Sequence, residues 1–577
     1  MLKANLSALR GVAPFLRATV VISGIMVPSR PILAALLLLT GCSSGASATQ
    51  PTSSSGVSSS AGSGGGASSS TGGGGSGGAG DGGGDAGSPA AATSRTALLS
   101  NNTSASTAFV DVYTPATRFN GSTTPVGNYG APSSTVPFVD MAHGVVSKVP
   151  VRSLLYPGAT TKIFVETQAW FCTNGTVPIP TKASADQCGG HIDIGYDANA
   201  TAHVQAEVAD MVSRGFDGAI LDWNGQAAGL GAVGQHSTDV AAISAGNATL
   251  MMQTAEATGG KLQFALQEDE GMKACASASG CDVTTQVTSD LDFMAAHYYP
   301  SSAYQTIGGR PVAYFFGVDY AAQASGKTLD WTTIRAQAQQ NPLFIFETAN
   351  GFGHAESDGA YAWLNPADVT KYPGSDPFGT ASYLPGFYKQ AEAHAALHAF
   401  GSIYKGFDDL VVNGWGGGPR YIGQQCGKTW LDTFALVNSS FSSTHQLEFL
   451  EVPTWDDYEE GSEIETGIES YAAVTASVSG STLSWTLAPT TTVPVPADCQ
   501  TALAGGFSLD ATVHHYDVYA SPASDGDALT LVAGDLPAAT KSVDLTGKLP
   551  AGSYVLYVQA VSQPSIRNHL SAAVPWG

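Results

Sequence analysis

The twelve residues TWDDYEEGSEIE, 454–465, carry six carboxylates directly after the apolar run LEFLEV. Acids at that density ordinarily form a solvated, self-repelling loop, yet Trp455 and Tyr458 stand among them. Carboxyls crowded together raise one another's proton affinity, and one that stays protonated near neutral pH can act as an acid. Hydrolysis of a glycosidic bond takes two such groups: one protonates the leaving oxygen, the other activates water or attacks. No Ser-His-Asp elbow, phosphate loop or nucleotide fingerprint offers a competing chemistry.

Such a pair needs a scaffold that brings it to a substrate. Between Lys162 and Glu460 eight apolar runs alternate with stretches of helical period: KIFVETQAWF, GFDGAILDWNG, LQFALQEDEG, RPVAYFFGVD, PLFIFETAN, GAYAWLNP, GSIYKGFDD and LEFLEVPTWDD. Val204, Val208, Met211 and Val212 fall on one helical face, ending near Gly215. Eight strand–helix units are the number a (β/α)8 barrel requires. Nearly every run ends in polar or aromatic residues, among them Trp170, Asp222, Trp223, Glu268, Asp269, Glu347 and Asp408. In a parallel barrel those ends converge on one face, where active sites are built. The expected fold class is therefore α/β, a TIM barrel over residues 96–467.

At this point the acidic segment resembles the TWNDYGE segment of glycoside hydrolase family 71, the α-1,3-glucanases. It also resembles the NEWHEG-x-x-IE segment of family 99, the endo-α-mannanases and mannosidases. HYYPSSAYQTIGGRPVAYFFG resembles a further segment of the same group, and the likeness spans roughly residues 138–467. The resemblance implies a (β/α)8 enzyme with two acids three positions apart as its catalytic pair, here Asp457 and Glu460. Glu460 is the expected general acid and Asp457 its partner. Asp456 and Glu459 depart from the pattern, since the families have Asn at the first position and Gly or His at the second. The expected sugar binders are Trp170, Asp222, Trp223, Glu268, Asp269, Glu347, Asp408, Trp455 and Tyr458, with the rings stacking on sugar faces. His191, His297 and His354 weigh more as structural histidines than as substrate contacts.

The flanks place the protein. MVPSRPILAALLLLTGC, starting at Met26, has a positive flank and an apolar run too short to span a bilayer. Its last four residues resemble a bacterial lipobox, which implies lipidation at Cys42 and a signal over residues 1–42. Residues 43–95 are almost wholly Gly, Ser, Ala and Thr and read as a flexible tether. Residues 468–577 switch to period-two alternation, which suggests an all-β immunoglobulin/fibronectin type III-like sandwich with Trp485 in its core. Besides Cys42 there are six Cys, and the even number suggests disulfides. Cys172 with Cys188 and Cys275 with Cys281 are close enough to staple single loops, leaving Cys426 and Cys499. The net charge of −23 argues against nucleic acid and for a neutral partner.

The expectation is thus a monomeric, lipid-anchored extracytoplasmic glycosidase acting on a neutral α-linked glycan, without organic cofactor or metal. Two alternatives stand beside it: calcium held by DDYEEGSE, and a glycan-binding lipoprotein without turnover.

Overall fold

The computed structural model describes residues 92–100, 102, 145–170, 198–226, 229–231, 233, 240–368, 378–379, 382–409 and 420–577. The expected signal with Cys42, nearly all of the tether, His191 and the Cys172–Cys188 pair lie outside them.

Eight parallel strands form the core: β1 (Lys162–Gln168), β2 (Gly218–Trp223), β3 (Gln263–Glu268), β4 (Arg310–Phe315), β5 (Leu343–Glu347), β6 (Gly359–Tyr361), β7 (His398–Ser402) and β8 (Phe449–Val452). Each pairs with its neighbour in chain order, and β8 pairs with β1, which closes the barrel. All eight expected runs supply a strand. In the seventh the strand begins earlier, at His398, and Phe407–Asp408 leave the barrel to pair antiparallel with Arg420–Ile422.

The helices between strands are α1 (Thr201–Ser213), α2 (Val240–Ala257), α3 (Glu270–Ser277), α4 (Val283–His297), α5 (Val318–Ala324), α6 (Trp331–Gln337), α7 (Tyr383–Ala393) and α8 (Lys428–Ser440). On α1 the predicted face is the buried one, with Val204, Val208 and Met211 in the barrel's apolar core.

The barrel interior is packed, not hollow. Its lower layer is aromatic: Phe400 stacks on Phe449 at 4.4 Å, and Tyr314 meets Phe400 and Tyr361 edge-on at 5.3 and 5.8 Å. Phe164 joins Phe449 at 6.2 Å. Gly218 on β2 makes room for that ring, since a Cβ there would lie 2.1 Å from Phe164 Cε1.

Beyond the barrel, β9 (Ala472–Ser479), β10 (Thr482–Pro489) and β13 (Ser542–Asp544) form one antiparallel sheet. A second joins β11 (Val513–Pro522), β12 (Thr530–Pro537) and β14 (Tyr554–Ser562) with two short strands. Both contribute to one apolar core containing Trp485, Leu483, Val518, Leu556 and Val558. This part grips the barrel directly: Ile468 and Ile566 join the barrel core, Arg567 Nε donates to Thr466 O at 2.8 Å, and Cys426 is bonded to Cys499. A second disulfide, Cys275–Cys281, also follows the expected pairing. Arg95, expected to end the tether, and residues 96–100, expected at the start of the barrel segment, form a helix that packs with the C-terminal sheets. There Leu98 packs with Tyr519 and Tyr557, and Arg95 Nε donates to Tyr557 OH at 2.8 Å.

Candidate active site

The acidic segment after β8 folds back over the mouth of the barrel. Trp455 N donates to Glu166 O at 2.6 Å, a bond to β1 just beyond the last paired residues, Val452 and Val165, and one residue out of their register. Two residues later in β1, Gln168 N donates to Asp456 Oδ1 at 2.7 Å and Gln168 Nε2 to Asp457 Oδ2 at 3.3 Å. The segment then closes on itself. Asp457 N donates to Thr454 Oγ1 at 2.9 Å, Glu460 N to Asp457 Oδ1 at 2.8 Å, and Glu465 N to Trp455 O at 2.8 Å. Lys405 Nζ reaches Glu463 Oε1 at 2.7 Å, and Asp408 N donates to Glu460 O at 2.6 Å.

Of the six acids, five are buried: Asp456, Asp457, Glu459, Glu463 and Glu465 are all 5 % exposed or less. The solvated loop that their density suggests is therefore absent. Burial, reinforced by the charges of Glu460 and Glu459, pushes the Asp457 carboxyl well above the ordinary aspartate range. Burial does the same to Asp456, with Glu207 and Glu465 adding to it. Glu460 keeps a partly open side chain, and Arg420 Nη2 stands 3.8 Å from its Oε1.

Below this loop lies a carboxyl layer that sequence reasoning passed over. Glu166 on β1 and Glu451 on β8 are fully buried; Glu166 Oε1 accepts from Gln267 Nε2 of β3 at 3.1 Å. Burial raises the proton affinity of both, and Glu451, Asp222, Asp457 and Asp269 add their charge to Glu166. The signal was present in IFVET and FLEV: a single acid inside a buried barrel strand, directly after apolar residues, where a lone charge is costly.

Strand alternation sorts the remaining expected residues, since successive side chains point to opposite faces. Asp222, whose charge reaches Glu166, is on the barrel side, so the next residue, Trp223, faces the helices. Trp223 is fully buried, stacked on Phe293 at 6.1 Å and edge-on to Tyr298. On β3, Gln267 is inside and Glu268 outside, where Glu268 Oε1 accepts from Met272 N at 3.0 Å. Burial, then the neighbouring Asp290, holds the Glu268 carboxyl well above its usual range. Asp269 returns to the mouth and pairs with Lys273. Glu347 Oε2 accepts from Gly317 N at 3.2 Å and lines a cavity of about 240 Å³ with Phe315, Asp319, Tyr320 and His354. Tyr320, unremarked in the sequence, is 79 % exposed there. His354 stacks on Phe346 at 3.9 Å, and His297 packs on Phe293.

Two expected sugar platforms are structural. Trp455 is fully buried, with the Arg214 guanidinium 4.7 Å from its ring centre and Phe216 against its edge. Tyr458 is fully buried and donates its hydroxyl to Glu465 Oε2 at 2.6 Å. Trp170 is partly exposed beyond β1, and Asp408 is buried beside the Glu460 backbone. The structure thus gathers Asp457, Glu460, Asp222, Asp269 and Asp408 around the mouth and turns Trp223, Glu268, Trp455 and Tyr458 away from it.

These features define a closed (β/α)8 barrel with a carboxyl-rich C-terminal mouth. No protein-family model and no curated protein sequence matches the chain. Among solved structures it is similar to the GH99 endo-α-mannosidase of Bacteroides thetaiotaomicron in complex with bis-Tris propane, at 15 % identity and TM-score 0.37 over 53 % of this chain and 87 % of that one. A second structure of that enzyme gives 14 % identity and TM-score 0.38 over 53 % and 88 %. A glycoside hydrolase-like protein gives 10 % identity and TM-score 0.33 over 53 % and 87 %.

Proposed function

We propose that the barrel is a glycoside hydrolase acting on a neutral α-linked glycan of the α-1,3-glucan or α-mannan kind, with Asp457 and Glu460 as its paired acids. One observation carries the reading: Asp457, buried and raised in proton affinity, is locked to the amide of Glu460 at 2.8 Å, while the Glu460 carboxyl stays partly open at the mouth. The motif resemblance assigns the same two positions. Glu460 gives its proton to the glycosidic oxygen as the C–O bond breaks. Asp457 either takes the proton of the water that attacks the anomeric carbon or itself attacks that carbon, to be displaced by water in a second step. Asp222, Asp269, Asp408 and Trp170 are the hydroxyl-binding and stacking groups in this reading.

The reading continues outside the barrel. The C-terminal sheets serve as a fibronectin type III-like module. Residues 1–42 direct export and residues 43–95 tether the barrel to a membrane through a lipid on Cys42, outside the cytoplasm. The two disulfides fit an oxidising compartment. The test is a hydrolysis screen on α-1,3-glucan, α-mannan and related polymers, run beside Asp457→Asn and Glu460→Gln. One polymer cut by the wild type and spared by both variants is the expected result. A glycan bound but never cut would make the protein a binder, and equal cutting by all three proteins would free these two acids of the role.

A further inference from the structure

Beside the acidic loop, three buried side chains converge from two elements. His203 and Glu207 lie one turn apart on α1, and Glu465 closes the acidic segment. They are 2 %, 1 % and 1 % exposed, and one ligand atom from each lies within 4.8 Å of the others. We propose that His203 Nε2 and the carboxylates of Glu207 and Glu465 bind a divalent transition-metal ion of the zinc or manganese kind.

The geometry is that of neighbouring ligands. Side chains at i and i+4 share one helix face, the spacing by which a helix presents two donors to one ion. His203 Nε2 stands 3.1 Å from Glu207 Oε1. Two donors each about 2.1 Å from one ion and roughly at right angles to each other are separated by about that distance. Glu207 Oε1 is buried and, beyond the His203 ring 3.1 Å away, has no hydrogen-bond donor. Glu465 is already oriented for the third place. Its Oε2 takes the Tyr458 hydroxyl, and its backbone oxygen accepts from Arg214 Nη2. These contacts fix the carboxylate from behind, the role outer partners play at metal sites. The donor set decides the class: an imidazole with carboxylates suits zinc or manganese, whereas calcium takes oxygen ligands alone.

The inference goes beyond the glycosidase reading and does not depend on it. An ion here ties α1 to the returning end of the acidic segment and so fixes the loop that holds Asp457. The full chain is produced in medium supplemented with zinc, manganese and calcium, passed over gel filtration, and its metal content measured by mass spectrometry. About one zinc or manganese per chain is expected, falling below roughly a tenth in His203→Ala and in Glu207→Gln. Heating with EDTA should lower the Tm of the wild type and leave that of the variants unchanged. A wild type with less than about a tenth of an ion per chain overturns the site, as do calcium as the bound ion and variants that keep the full content. Where the variants fail to fold, X-ray absorption on the wild-type ion decides: one nitrogen with carboxylate oxygens supports the site, and any sulfur or a second imidazole overturns it.

Discussion

The amide of Glu460 donates to Oδ1 of Asp457 at 2.8 Å, and the other oxygen of that carboxyl takes the Gln168 side chain at 3.3 Å. The Asp457 carboxyl is thereby held by the same segment that carries Glu460, fixed against the Glu460 backbone and the end of β1.

That rigidity separates catalysis from stability in the first prediction. The Asp457 carboxyl is buried and its proton affinity is raised, so an isosteric neutral amide relieves the cost of a buried charge. Asp457→Asn should lose roughly 100- to 10,000-fold in kcat/KM, the usual worth of a general acid or base. Its Tm at neutral pH should be unchanged or slightly raised. Glu460→Gln should lose a similar factor. A variant that loses Tm in step with activity would mean that the acid is structural.

How far the sequence revealed this is clear from particular residues. Most barrel strands were legible because they are buried on both faces and so read as largely apolar runs, whereas the seventh run overlaps its strand only at residues 401–402. That same property hides which way a side chain points. Trp223 and Glu268 follow inward-facing Asp222 and Gln267 and therefore face the helices, a parity that a run without alternation does not display. Glu166 and Glu451 lie inside strands, away from the polar strand ends that mark the mouth in the sequence. The burial of Trp455 and Tyr458 depends on Arg214 and Glu465 arriving from other elements, which no local pattern records.

Trp455 and Tyr320 should therefore exchange the roles their types suggest. Removing the fully buried Trp455 ring strips the apolar partner of Arg214 and leaves a cavity. Trp455→Ala should cost about 3–5 kcal/mol of stability by chemical denaturation. Tyr320, 79 % exposed at the Glu347 cavity, contributes little to the fold. Tyr320→Ala should leave Tm unchanged and raise KM on a polymeric substrate with kcat preserved, the signature of lost binding shared by ground and transition states. A fall in Tm for Tyr320→Ala, or none for Trp455→Ala, would reverse the assignment.

The Cys426–Cys499 bond joins the turn before α8 to the C-terminal part across a sequence separation of 73. Closing a loop of that length costs the unfolded chain about 4 kcal/mol in the chain-entropy picture, against roughly 2 kcal/mol for a loop as short as Cys275–Cys281. Cys426→Ser with Cys499→Ser should lower the unfolding free energy by the larger amount, and Cys275→Ser with Cys281→Ser by the smaller. Denaturant titration of the two double variants checks the order. Equal losses would show that native contacts, not loop length, set these contributions.

The buried pair Glu166 and Glu451 makes stability fall as pH rises. Burial holds both carboxyls protonated above the pH at which the unfolded chain gives up its protons, an ordinary glutamate value of about 4.3. Above that value the folded state binds more protons than the unfolded one, so each further pH unit costs stability until the folded pKa is passed. The penalty is absent below the unfolded pKa and grows through the neutral range. Glu166→Gln keeps the hydrogen-bonding shape but has no proton to lose. Its Tm should decline less steeply than that of the wild type between about pH 5 and pH 8, and it should match or exceed the wild type at the upper end. Thermal scans across that window decide the matter, and parallel curves would mean that Glu166 ionises in the folded barrel as it does in the open chain.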